Sequence, residues 1–528
     1  MEPPASFVDP RPRGADALPL LAAAAGLAVY LASEAFVFSG QLGFPLDDSW
    51  IHMQFARQIA AGEGLAYNPG RWVAGSSAPL WTALVALVQA LPLPPLWGVK
   101  LLGAACLLAT VHATGRLAAE LGLSRGLRHL AAVLVATSHW LLWAALAGME
   151  VHLFTALTLW GLVLHLRERA AGGFGGASLP LLALAGLARP EGFLLLALAI
   201  AERTLAGLRE RAWRRDLARL AVPLAAAVLA VAPVLLFFRL IGDSFLPTTF
   251  AVKAGDPDFL PSGRYLRAAV DVLFRSQPVA LLFAGAGILR LAERPGTARS
   301  RGLLPAAWVL GLPLAYSLLA ADNGPVIVGN FGRYLFPLLP LVAVLGVLGW
   351  QRPARRLGRP ARVALVTAAL LPQLWGLAAG VPLYLRTIAN VEDGDVAAAR
   401  WLAERLPPDA LVAVQDAGAL KYHLPNPVLD LTGIVNPEIL PHLRGADWER
   451  ELYGYLAARR PAYLVVFPEY YPRLVTAPGF RRVRSFPVRD NVALAGDELV
   501  VFATPWTGPW GLREGDPAAS ASPPPGAP

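Results

Sequence analysis

Long apolar stretches place the strongest constraint on how this sequence can fold. Runs of about 20 residues with few charges recur between Leu18 and Leu385, and each is long enough to cross a hydrocarbon layer about 30 Å thick as a helix. Hydrophobic residues make up 55% of the 528 residues and charged residues only 16%, a balance that excludes an ordinary soluble enzyme. The sequence therefore predicts an α-helical polytopic membrane protein.

The excess of positive charge lies in this apolar part. Before Arg386 there are 32 basic and 20 acidic residues, so the net charge of +9 does not arise from a basic tail. Short loops hold six arginines over 203–219, four over 290–301 and five over 352–362. Cytoplasmic loops of membrane proteins are enriched in such residues. We interpret the charge as an orientation signal and not as a nucleic-acid surface.

The orientation signal leads to a prediction of about eleven transmembrane helices. The first acts as an uncleaved signal anchor with a cytoplasmic N-terminus, and the C-terminus is external. Residues 79–91 are too short to cross, whereas 179–201 cross twice because Arg189-Pro190-Glu191-Gly192 interrupts them. The other predicted spans are 18–38, 99–117, 130–146, 151–165, 220–240, 279–291, 303–320, 334–350 and 363–385.

Composition divides the chain further. A cytoplasmic segment (1–16) precedes the transmembrane domain (17–385), whose external loops are 40–97 and 241–277. From about residue 386 charges become frequent and apolar runs shrink to strand length at 411–414, 428–431, 463–467 and 499–503, with helical patterns at 396–405 and 448–459. This predicts an extracytoplasmic α/β domain over 386–506. A Pro-, Gly- and Ala-rich tail over 507–528 is predicted to be disordered.

The first external loop holds the most unusual chemistry, the adjacent carboxylates of Asp47 and Asp48. Apolar residues at i, i+4 and i+8 predict an amphipathic helix over 49–60 along the membrane surface, with Asp48 at its start. One interpretation of Asp48 is a helix N-cap. The other is a carboxylate that accepts a proton from a hydroxyl nucleophile or binds a divalent cation.

Other sequence motifs provide little information about function. The sequence has no GxxxxGK[ST], no dinucleotide-binding fingerprint, no HExxH and no CxxC, so ATP-driven transport, nicotinamide chemistry and zinc proteolysis have no motif support. The single cysteine, Cys106, lies in an apolar run and is interpreted as a core residue. His139 within a predicted span is interpreted as structural. Asp416 lies after a predicted strand and before Gly418, where open α/β sheets hold ligands, although a turn-forming Asp is the default.

Several strings, in order, resemble a known group of enzymes. The loop from Leu46 to Trp81 begins LDDSW, and it is followed by GMEVHLF at 148–154, ARPEG at 188–192, FLPTTFAVK at 245–253 and GRYLFPLLP at 332–340. The pattern covers roughly residues 18–385. It resembles the GT-C glycosyltransferases, integral membrane enzymes that take a sugar from a polyprenyl-phosphate carrier. Within that superfamily it looks most like the terminal arabinofuranosyltransferases and their uncharacterised relatives.

The resemblance implies roles for the acidic residues. Asp47 and Asp48 match the acidic pair of the first external loop, one of which acts as general base on the acceptor hydroxyl. Glu150 matches a second acidic position, with a solvated boundary carboxylate as the alternative. Many related enzymes have another acidic residue where this chain has Ser76 and Ser77, which weakens the prediction of a metal site. If a divalent metal (Mg, Mn or Ca) takes part, Asp47, Asp48 and Glu150 are its candidate ligands.

The resemblance also implies a donor-phosphate site formed by Lys253, Arg333 and Tyr334. Lys253 is one of only three lysines, and its alternative role is that of a snorkelling surface lysine. Arg333 can grip a phosphate through two parallel hydrogen bonds, or it can act with Tyr334 as an interfacial anchor.

Four further residues are candidates for support of the site. Arg189 and Glu191 flank Pro190, and burying either charge alone would be costly, so we expect them to pair or to line a polar cavity. His52 and Arg57 follow the acidic pair on the same predicted helix.

These observations predict an inverting glycosyltransferase of the cytoplasmic membrane that moves a hexosyl or pentosyl group. The expected donor is a polyprenyl-phosphate-linked sugar, and the acceptor is a hydroxyl of a cell-envelope glycan, lipid or protein on the outer face. The alternatives are a multi-pass transporter or lipid flippase, and a non-catalytic envelope-assembly protein. A transporter built from repeated halves is disfavoured because the sequence shows no internal repeat.

Overall fold

A computed structural model describes residues 17–172, 176–209, 213–253, 260–319 and 332–508. The predicted cytoplasmic segment 1–16 and nearly all of the tail 507–528 lie outside the described residues. The first two thirds of the chain are helical. Their helices are α1 Ala17–Val37, α2 Asp47–Ala60, α3 Pro79–Gln89, α4 Pro95–Glu120, α5 Arg125–Ala136, α6 His139–Leu146, α7 Val151–Ala170, α8 Ser178–Ala188, α9 Gly192–Arg209, α10 Trp213–Gly242, α11 Thr248–Lys253, α12 Gly263–Ser276, α13 Pro278–Ala292, α14 Gly296–Leu319, α15 Leu339–Arg356 and α16 Arg359–Val391.

Six stretches of the described chain are long and apolar enough to cross a membrane. The number rises to eight if the bent pairs α5–α6 and α12–α13 each form one span. The six are Ala17–Val37, Pro95–Glu120, Arg219–Gly242, Gly302–Leu319, Phe336–Arg356 and Arg359–Ala403. The polytopic helical class is thus confirmed, while the predicted count of eleven crossings stays a prediction.

Two breaks in the helices lie close to the candidate residues. The span predicted over 130–146 corresponds to a bent pair, in which α5 and α6 meet at an angle of 55° around Thr137 and Ser138. The break between α8 and α9 is where the sequence predicts it. Arg189 is extended there (φ −156°, ψ 135°), as expected for a residue that precedes a proline.

Glycines allow a close contact between the helices α13 and α15. A β-carbon on Gly287 would come within 2.0 Å of the Leu345 carbonyl oxygen, and one on Gly349 within 2.0 Å of that of Phe283. Membrane helices associate largely through van der Waals packing, which small residues make possible at short distance. The glycines thus let the backbones of α13 and α15 pack directly against each other.

The helix of the first external loop, α2, is more deeply enclosed than the sequence predicts. It extends over Asp47–Ala60, and every residue from Ser49 to Ala56 is buried. The expected helix with one exposed face along the membrane surface is therefore wrong. Leu46 occupies the N-cap position and Asp47 and Asp48 lie in the first turn, so Asp48 is not the N-cap.

The C-terminal region holds a five-stranded mixed sheet in the order β2-β1-β3-β5-β4. β1 pairs in parallel with β2 and β3, and β5 pairs antiparallel with β3 and β4. Buried apolar side chains cover both faces. The strands are β1 Val412–Val414, β2 Val428–Asp430, β3 Tyr463–Val466, β4 Arg481–Pro487 and β5 Glu498–Ala503, and the helices are α17 Ala397–Ala403, α18 Gly418–His423, α19 Trp448–Arg459 and α20 Pro472–Val475.

The predicted α/β character of this region is confirmed, although β4 was not predicted. A continuous helical path leads into it, since α16 passes through one π-helical stretch, Glu392–Val396, directly into α17. Asn68 of the first loop binds the free edge of β2. Its amide nitrogen donates to the Val428 carbonyl at 2.9 Å and its oxygen accepts from the Val428 amide at 3.0 Å.

Candidate active site

A cavity of about 550 Å³ lies where the first external loop, the membrane helices and the C-terminal region meet. Its polar residues come from five separate parts of the chain, so only the folded bundle assembles them. They are Asp48, His52, Ser77, Glu150, Arg189, Glu191, Thr249, Tyr265, Tyr316, Arg333 and Tyr334.

The two adjacent carboxylates of the first loop bind different partners. Asp48 lies in the wall of the cavity and forms an ion pair with Arg333, whose side chain is 3% exposed. Asp47 is not among the cavity-lining residues. Its carboxylate accepts hydrogen bonds from the backbone amides of Gly418 and Ala419, at 2.7 and 2.6 Å, in the first turn of α18.

The geometry of α2 explains this division. Asp48, Ile51 and His52 are three and four residues apart, share one helix face, and all line the cavity. Asp47 is one residue earlier and therefore points about 100° away around the helix. Burial raises the pKa of Asp47 to about 7, although the two amide hydrogen bonds lower it.

Glu150 and Arg189 form a buried ion pair in the cavity wall. The Arg189 guanidinium lies 3.2 Å from Glu150 Oε1 and 3.0 Å from Glu191 Oε1. Both Arg189 and Glu150 are at most 5% exposed. The predicted pairing of Arg189 with Glu191 is observed, and both residues also line the cavity. One cation thus serves two carboxylates, which reduces the cost of burying them.

A chain of polar contacts runs from Glu150 to the first loop through His52. His52 Nε2 lies 3.6 Å from Glu150 Oε2, and its Nδ1 lies 3.0 Å from the Thr82 hydroxyl. Thr82 in turn contacts the Ser76 hydroxyl at 2.8 Å. Ser76 thus fixes a neighbouring hydroxyl instead of adding the carboxylate found in many related enzymes. These contacts hold the imidazole ring of His52 in one orientation.

Of the predicted phosphate-binding residues, Arg333 and Tyr334 lie at the cavity. The Arg333 guanidinium lies 5.4 Å from the centre of the Tyr334 ring. Its Nη1 is buried and has no hydrogen-bond partner among the described residues. Lys253 ends α11, and its side chain lies outside the described part of the chain.

Two tyrosines at the cavity were not singled out from the sequence, Tyr265 on α12 and Tyr316 on α14. Tyr316 donates a hydrogen bond to Glu191 and accepts one from Arg189 at 3.2 Å. A tyrosine inside an apolar run needs a partner for its hydroxyl, and this signal was available for Tyr316 in the span predicted over 303–320. Its partners, 125 and 127 residues away, were not available from the pattern.

The remaining wall is apolar and continues toward the membrane helices. Its side chains come mainly from the segment around α11 and from α14: Leu246, Pro247, Phe250, Val252, Leu312, Ala315 and Leu319. Charged, polar and apolar side chains therefore line one cavity, a composition that suits an amphipathic ligand.

The C-terminal region closes one side of the cavity with a single loop. Ile434, which follows β2, lines the wall, and its carbonyl accepts a hydrogen bond at 2.8 Å from the Thr248 hydroxyl. The Thr248 amide donates to the Ala74 carbonyl at 2.9 Å. Thr248 therefore connects the first loop, the α10–α11 segment and the C-terminal region.

Other predicted candidates lie elsewhere. Arg57 donates to the Tyr422 carbonyl at 2.9 Å and lies over the Tyr422 ring, so it binds the C-terminal region and not the cavity. Asp416 follows β1 at the interface with α2; burial and the nearby carboxylates of Asp47 and Asp48 raise its pKa. His139 packs beside Trp140. None of these three lines the cavity.

The candidate metal ligands do not converge on one point. The Asp47 carboxylate binds two amides, Asp48 pairs with Arg333, and Glu150 pairs with Arg189 and contacts His52. Within the described ranges, no group of three or more His, Cys, Asp or Glu residues is arranged to hold an ion. A divalent metal therefore stays a prediction from the sequence.

The C-terminal region has relatives of its own. Residues 386–503 match a protein family described as a domain of unknown function (DUF8728). No curated protein matches the sequence.

Solved structures resemble this one over most of its length. The crystal structure of ArnT from Cupriavidus metallidurans bound to undecaprenyl phosphate aligns with a TM-score of 0.61 at 15% identity, over 93% of this chain and 98% of that chain. The oligosaccharyltransferase AglB from Archaeoglobus fulgidus, in complex with an inhibitory peptide and a dolichol-phosphate, aligns with a TM-score of 0.52 at 14% identity, over 87% and 70%.

A mycobacterial structure aligns less well. The arabinofuranosyltransferase AftD gives a TM-score of 0.46 at 19% identity, over 92% of this chain and 41% of that chain, and this match does not distinguish between members of the superfamily. From the first two structural matches, the chain has the fold that ArnT and AglB share.

Proposed function

We propose that the protein is an inverting glycosyltransferase that moves a sugar from a polyprenyl phosphate to a hydroxyl of a cell-envelope glycan, lipid or protein. One observation carries the proposal. The Asp48 carboxylate and the buried Arg333 guanidinium form an ion pair in the wall of a cavity that is also lined by apolar side chains. A base and a phosphate-binding cation are what transfer from a lipid phosphate requires.

In the proposed reaction Asp48 is the general base. It takes the proton of the acceptor hydroxyl as that oxygen bonds to the anomeric carbon. The bond from the anomeric carbon to the phosphate oxygen breaks on the opposite face, and the electron pair leaves with the lipid phosphate. The configuration at the anomeric carbon inverts. Binding of the donor phosphate to Arg333 would also draw that cation away from Asp48 and release the base.

Arg333 stabilises the charge that grows on the departing phosphate. Its Nη1 is buried without a partner in the described part of the chain, so it has a hydrogen bond to give. The loss of one preorganised donor at a developing negative charge costs on the order of a hundredfold or more in rate. Tyr334 and Lys253 are the other proposed phosphate contacts, the former through its position against the Arg333 guanidinium.

Glu150, His52 and Arg189 position these groups. The Glu150–Arg189 ion pair determines the local charge of the cavity wall. His52 lies one turn after Asp48 on α2. The isoprenoid chain of the donor would lie against the apolar residues of α14 and the segment around α11. The structural neighbours support a lipid phosphate in such a cavity, since ArnT is described with undecaprenyl phosphate and AglB with a dolichol-phosphate.

The cavity is proposed to open on the outer face of the cytoplasmic membrane, with the C-terminal region on that side. The arginine clusters at 290–301 and 352–362 then lie in the cytoplasm. Single cysteines test this in a Cys106→Ser background. Thr476→Cys, on an exposed part of the C-terminal region, should react with an impermeant reagent in intact cells, and Gly358→Cys should not. The reverse pattern would overturn the topology.

The decisive experiment uses purified protein in lipid nanodiscs with a synthetic polyprenyl-phosphate sugar. Wild-type protein should release polyprenyl phosphate only when a hydroxyl acceptor is present. Asp48→Asn should abolish release, whereas Asp243→Asn, which changes a fully exposed aspartate, should not. Acceptor-independent release would indicate a hydrolase. Movement of the intact donor across vesicles without transfer would indicate a flippase.

A further inference from the structure

Three tyrosines form a continuous aromatic surface in the cavity wall beside the proposed reaction centre. The Tyr316 ring lies 6.0 Å from that of Tyr265 and 5.9 Å from that of Tyr334, measured between ring centres. Tyr265 is buried, whereas Tyr316 and Tyr334 are only partly buried and line the cavity. Partial exposure toward a cavity leaves ring area of Tyr316 available to a ligand. The Tyr334 ring borders that area and is itself contacted by the guanidinium groups of Arg189 and Arg333, 4.9 and 5.4 Å from its centre.

A carboxylate lies at the edge of this surface. Glu191 Oε1 accepts hydrogen bonds from Tyr316 and from Arg189. Among the described residues, Glu191 Oε2 receives one contact, of 3.5 Å, from Arg189 Nε, and the side chain is 19% exposed. A carboxylate oxygen has two acceptor sites. Glu191 Oε2 can therefore accept hydrogen bonds from a ligand without losing its present partner.

Aromatic rings next to a partly satisfied carboxylate match the chemistry of a sugar. A sugar ring has one apolar face of C–H groups and a rim of hydroxyl donors. The apolar body of a tyrosine suits that face, and the carboxylate suits the rim. The guanidinium of Arg333, the proposed phosphate contact, lies 5.4 Å from the Tyr334 ring centre, so the aromatic surface adjoins the proposed phosphate site.

The local charge limits the kind of sugar. Asp48 and Arg333 compensate each other, and the single charge of Arg189 is shared by Glu150 and Glu191. No cation among these residues remains to bind a further carboxylate. A uronic acid would bring a second negative charge toward Glu191 in a site of low polarity, where repulsion is strong.

We infer that Tyr316, Tyr334 and Glu191 form the subsite for the donor sugar, and that this sugar is uncharged and bound through its hydroxyls. The inference rests on the proposed function, because it assigns the part of the donor that lies beyond the phosphate. Tyr265 supports the Tyr316 ring from behind, and Arg189 holds Glu191 in place. Tyr316 is thereby a specificity-determining residue of the proposed transferase.

The test compares binding of four ligands that differ only in the sugar, one of which has none. Farnesyl phosphate and farnesyl phosphate linked to mannose, arabinofuranose or glucuronic acid are titrated into protein in nanodiscs. Wild type should bind at least one neutral glycosylated lipid more tightly than farnesyl phosphate, and the glucuronosyl lipid less tightly than the neutral ones. Tyr316→Ala should weaken the neutral glycosylated lipid by about tenfold or more and leave farnesyl phosphate nearly unchanged.

Two more variants separate recognition from folding. Tyr316→Phe keeps the ring and removes the donor to Glu191, and Glu191→Gln removes the charge, so both should weaken only the glycosylated lipids. Tyr470→Ala, at a half-exposed tyrosine of the C-terminal region, is the matched control and should change neither affinity. Equal loss for both ligands in Tyr316→Ala, no loss for either, or preference for the glucuronosyl lipid would overturn the subsite. Failure of wild type to bind any of the lipids would instead contradict the proposed function.

Discussion

Asp47 and Asp48 are consecutive in the chain, yet the carboxylate of Asp47 binds backbone amides of the C-terminal region whereas that of Asp48 binds Arg333 in the cavity wall. One turn of helix thus carries two different functions. The proposed base is held next to the phosphate site, and its neighbour fixes the helix to the sheet. This arrangement makes the two residues experimentally separable.

Substitution of each aspartate by asparagine should affect different properties. Asp48→Asn keeps size but cannot accept the proton, so transfer should fall on the order of a hundredfold or more with little change in thermal stability. Asp47→Asn replaces one of the two oxygens that accept from the Gly418 and Ala419 amides with an NH2 group, so it should lower stability by about 1–3 kcal/mol, with a much smaller loss of turnover. Acceptor-dependent release and thermal unfolding of both variants measure this. Full turnover of Asp48→Asn would contradict the assigned base.

The contact between Asp47 and α18 should depend on pH. Burial raises the pKa of Asp47 from its ordinary value of 3.8 to about 7, so the folded protein holds this proton more tightly than the unfolded chain does. The contribution of Asp47 to stability is therefore highest below about pH 4 and falls as pH rises to about 7. Asp47→Asn should remove this part of the slope in a pH series of thermal unfolding. An identical slope in wild type and variant would show that Asp47 does not titrate in this range.

Substitution of Arg333 should affect donor binding more than acceptor binding. Arg333→Lys keeps the positive charge but loses the planar guanidinium with its paired N–H donors. The donor affinity and the kcat of this variant should therefore lie between those of wild type and those of Arg333→Ala. Charge on the phosphate oxygen grows as the glycosidic bond breaks, so the contact strengthens in the transition state and kcat falls together with binding. Steady-state transfer with a short-chain donor, varying each substrate separately, measures this. A loss confined to the acceptor KM would remove Arg333 from the donor site.

A second charged pair supports the first loop from within the bundle. Lys100 and Glu34 are fully buried and 2.9 Å apart; Glu34 also accepts a hydrogen bond from Tyr384 and one from the Gly43 amide at 3.0 Å. Gly43 lies four residues before Asp47. The pair thus anchors the segment that leads into α2.

Breaking this pair on one side should be more harmful than neutralising both sides. Lys100→Met leaves a buried charge and should cost about 3–5 kcal/mol, whereas adding Glu34→Gln removes that charge, keeps an acceptor for Gly43, and should recover part of the loss. Arg352→Ala, which breaks an exposed pair with Glu293, should cost about 0–1 kcal/mol. Thermal unfolding in nanodiscs compares them. A double variant less stable than Lys100→Met would contradict the explanation.

Sequence patterns predicted the helices well because the membrane imposes length and polarity on each one separately. The helices α1, α4 and α10 overlap the predicted spans, and the break at Arg189 follows from its proline. Local signals also located three of the five strands, β1, β2 and β3, in full. They located most of a fourth strand, β5. The strand β4 escaped because it carries arginines at the sheet edge, where only one face needs to be apolar.

The cavity could be predicted only in part. Asp48, Glu150 and Arg333 stood out as charges at the ends of apolar stretches, which are costly to keep there without function. The orientation of Asp47 could not be predicted, since its partners are 371 and 372 residues away and offer only backbone amides, which leave no trace in composition. The role of Tyr316 could not be predicted either, because it depends on two residues of a distant loop, Arg189 and Glu191.

The attachment of α2 to the sheet bears on how this protein can be recombined with its relatives. The backbone amides of Gly418 and Ala419 and the edge of β2 at Val428 obtain their partners from Asp47 and Asn68, outside the matched family segment 386–503. A chimera that exchanges the C-terminal segment alone would leave these groups facing a foreign surface. The structural unit that a functional chimera must exchange is therefore discontinuous in sequence. It consists of residues 47–72 together with the C-terminal segment.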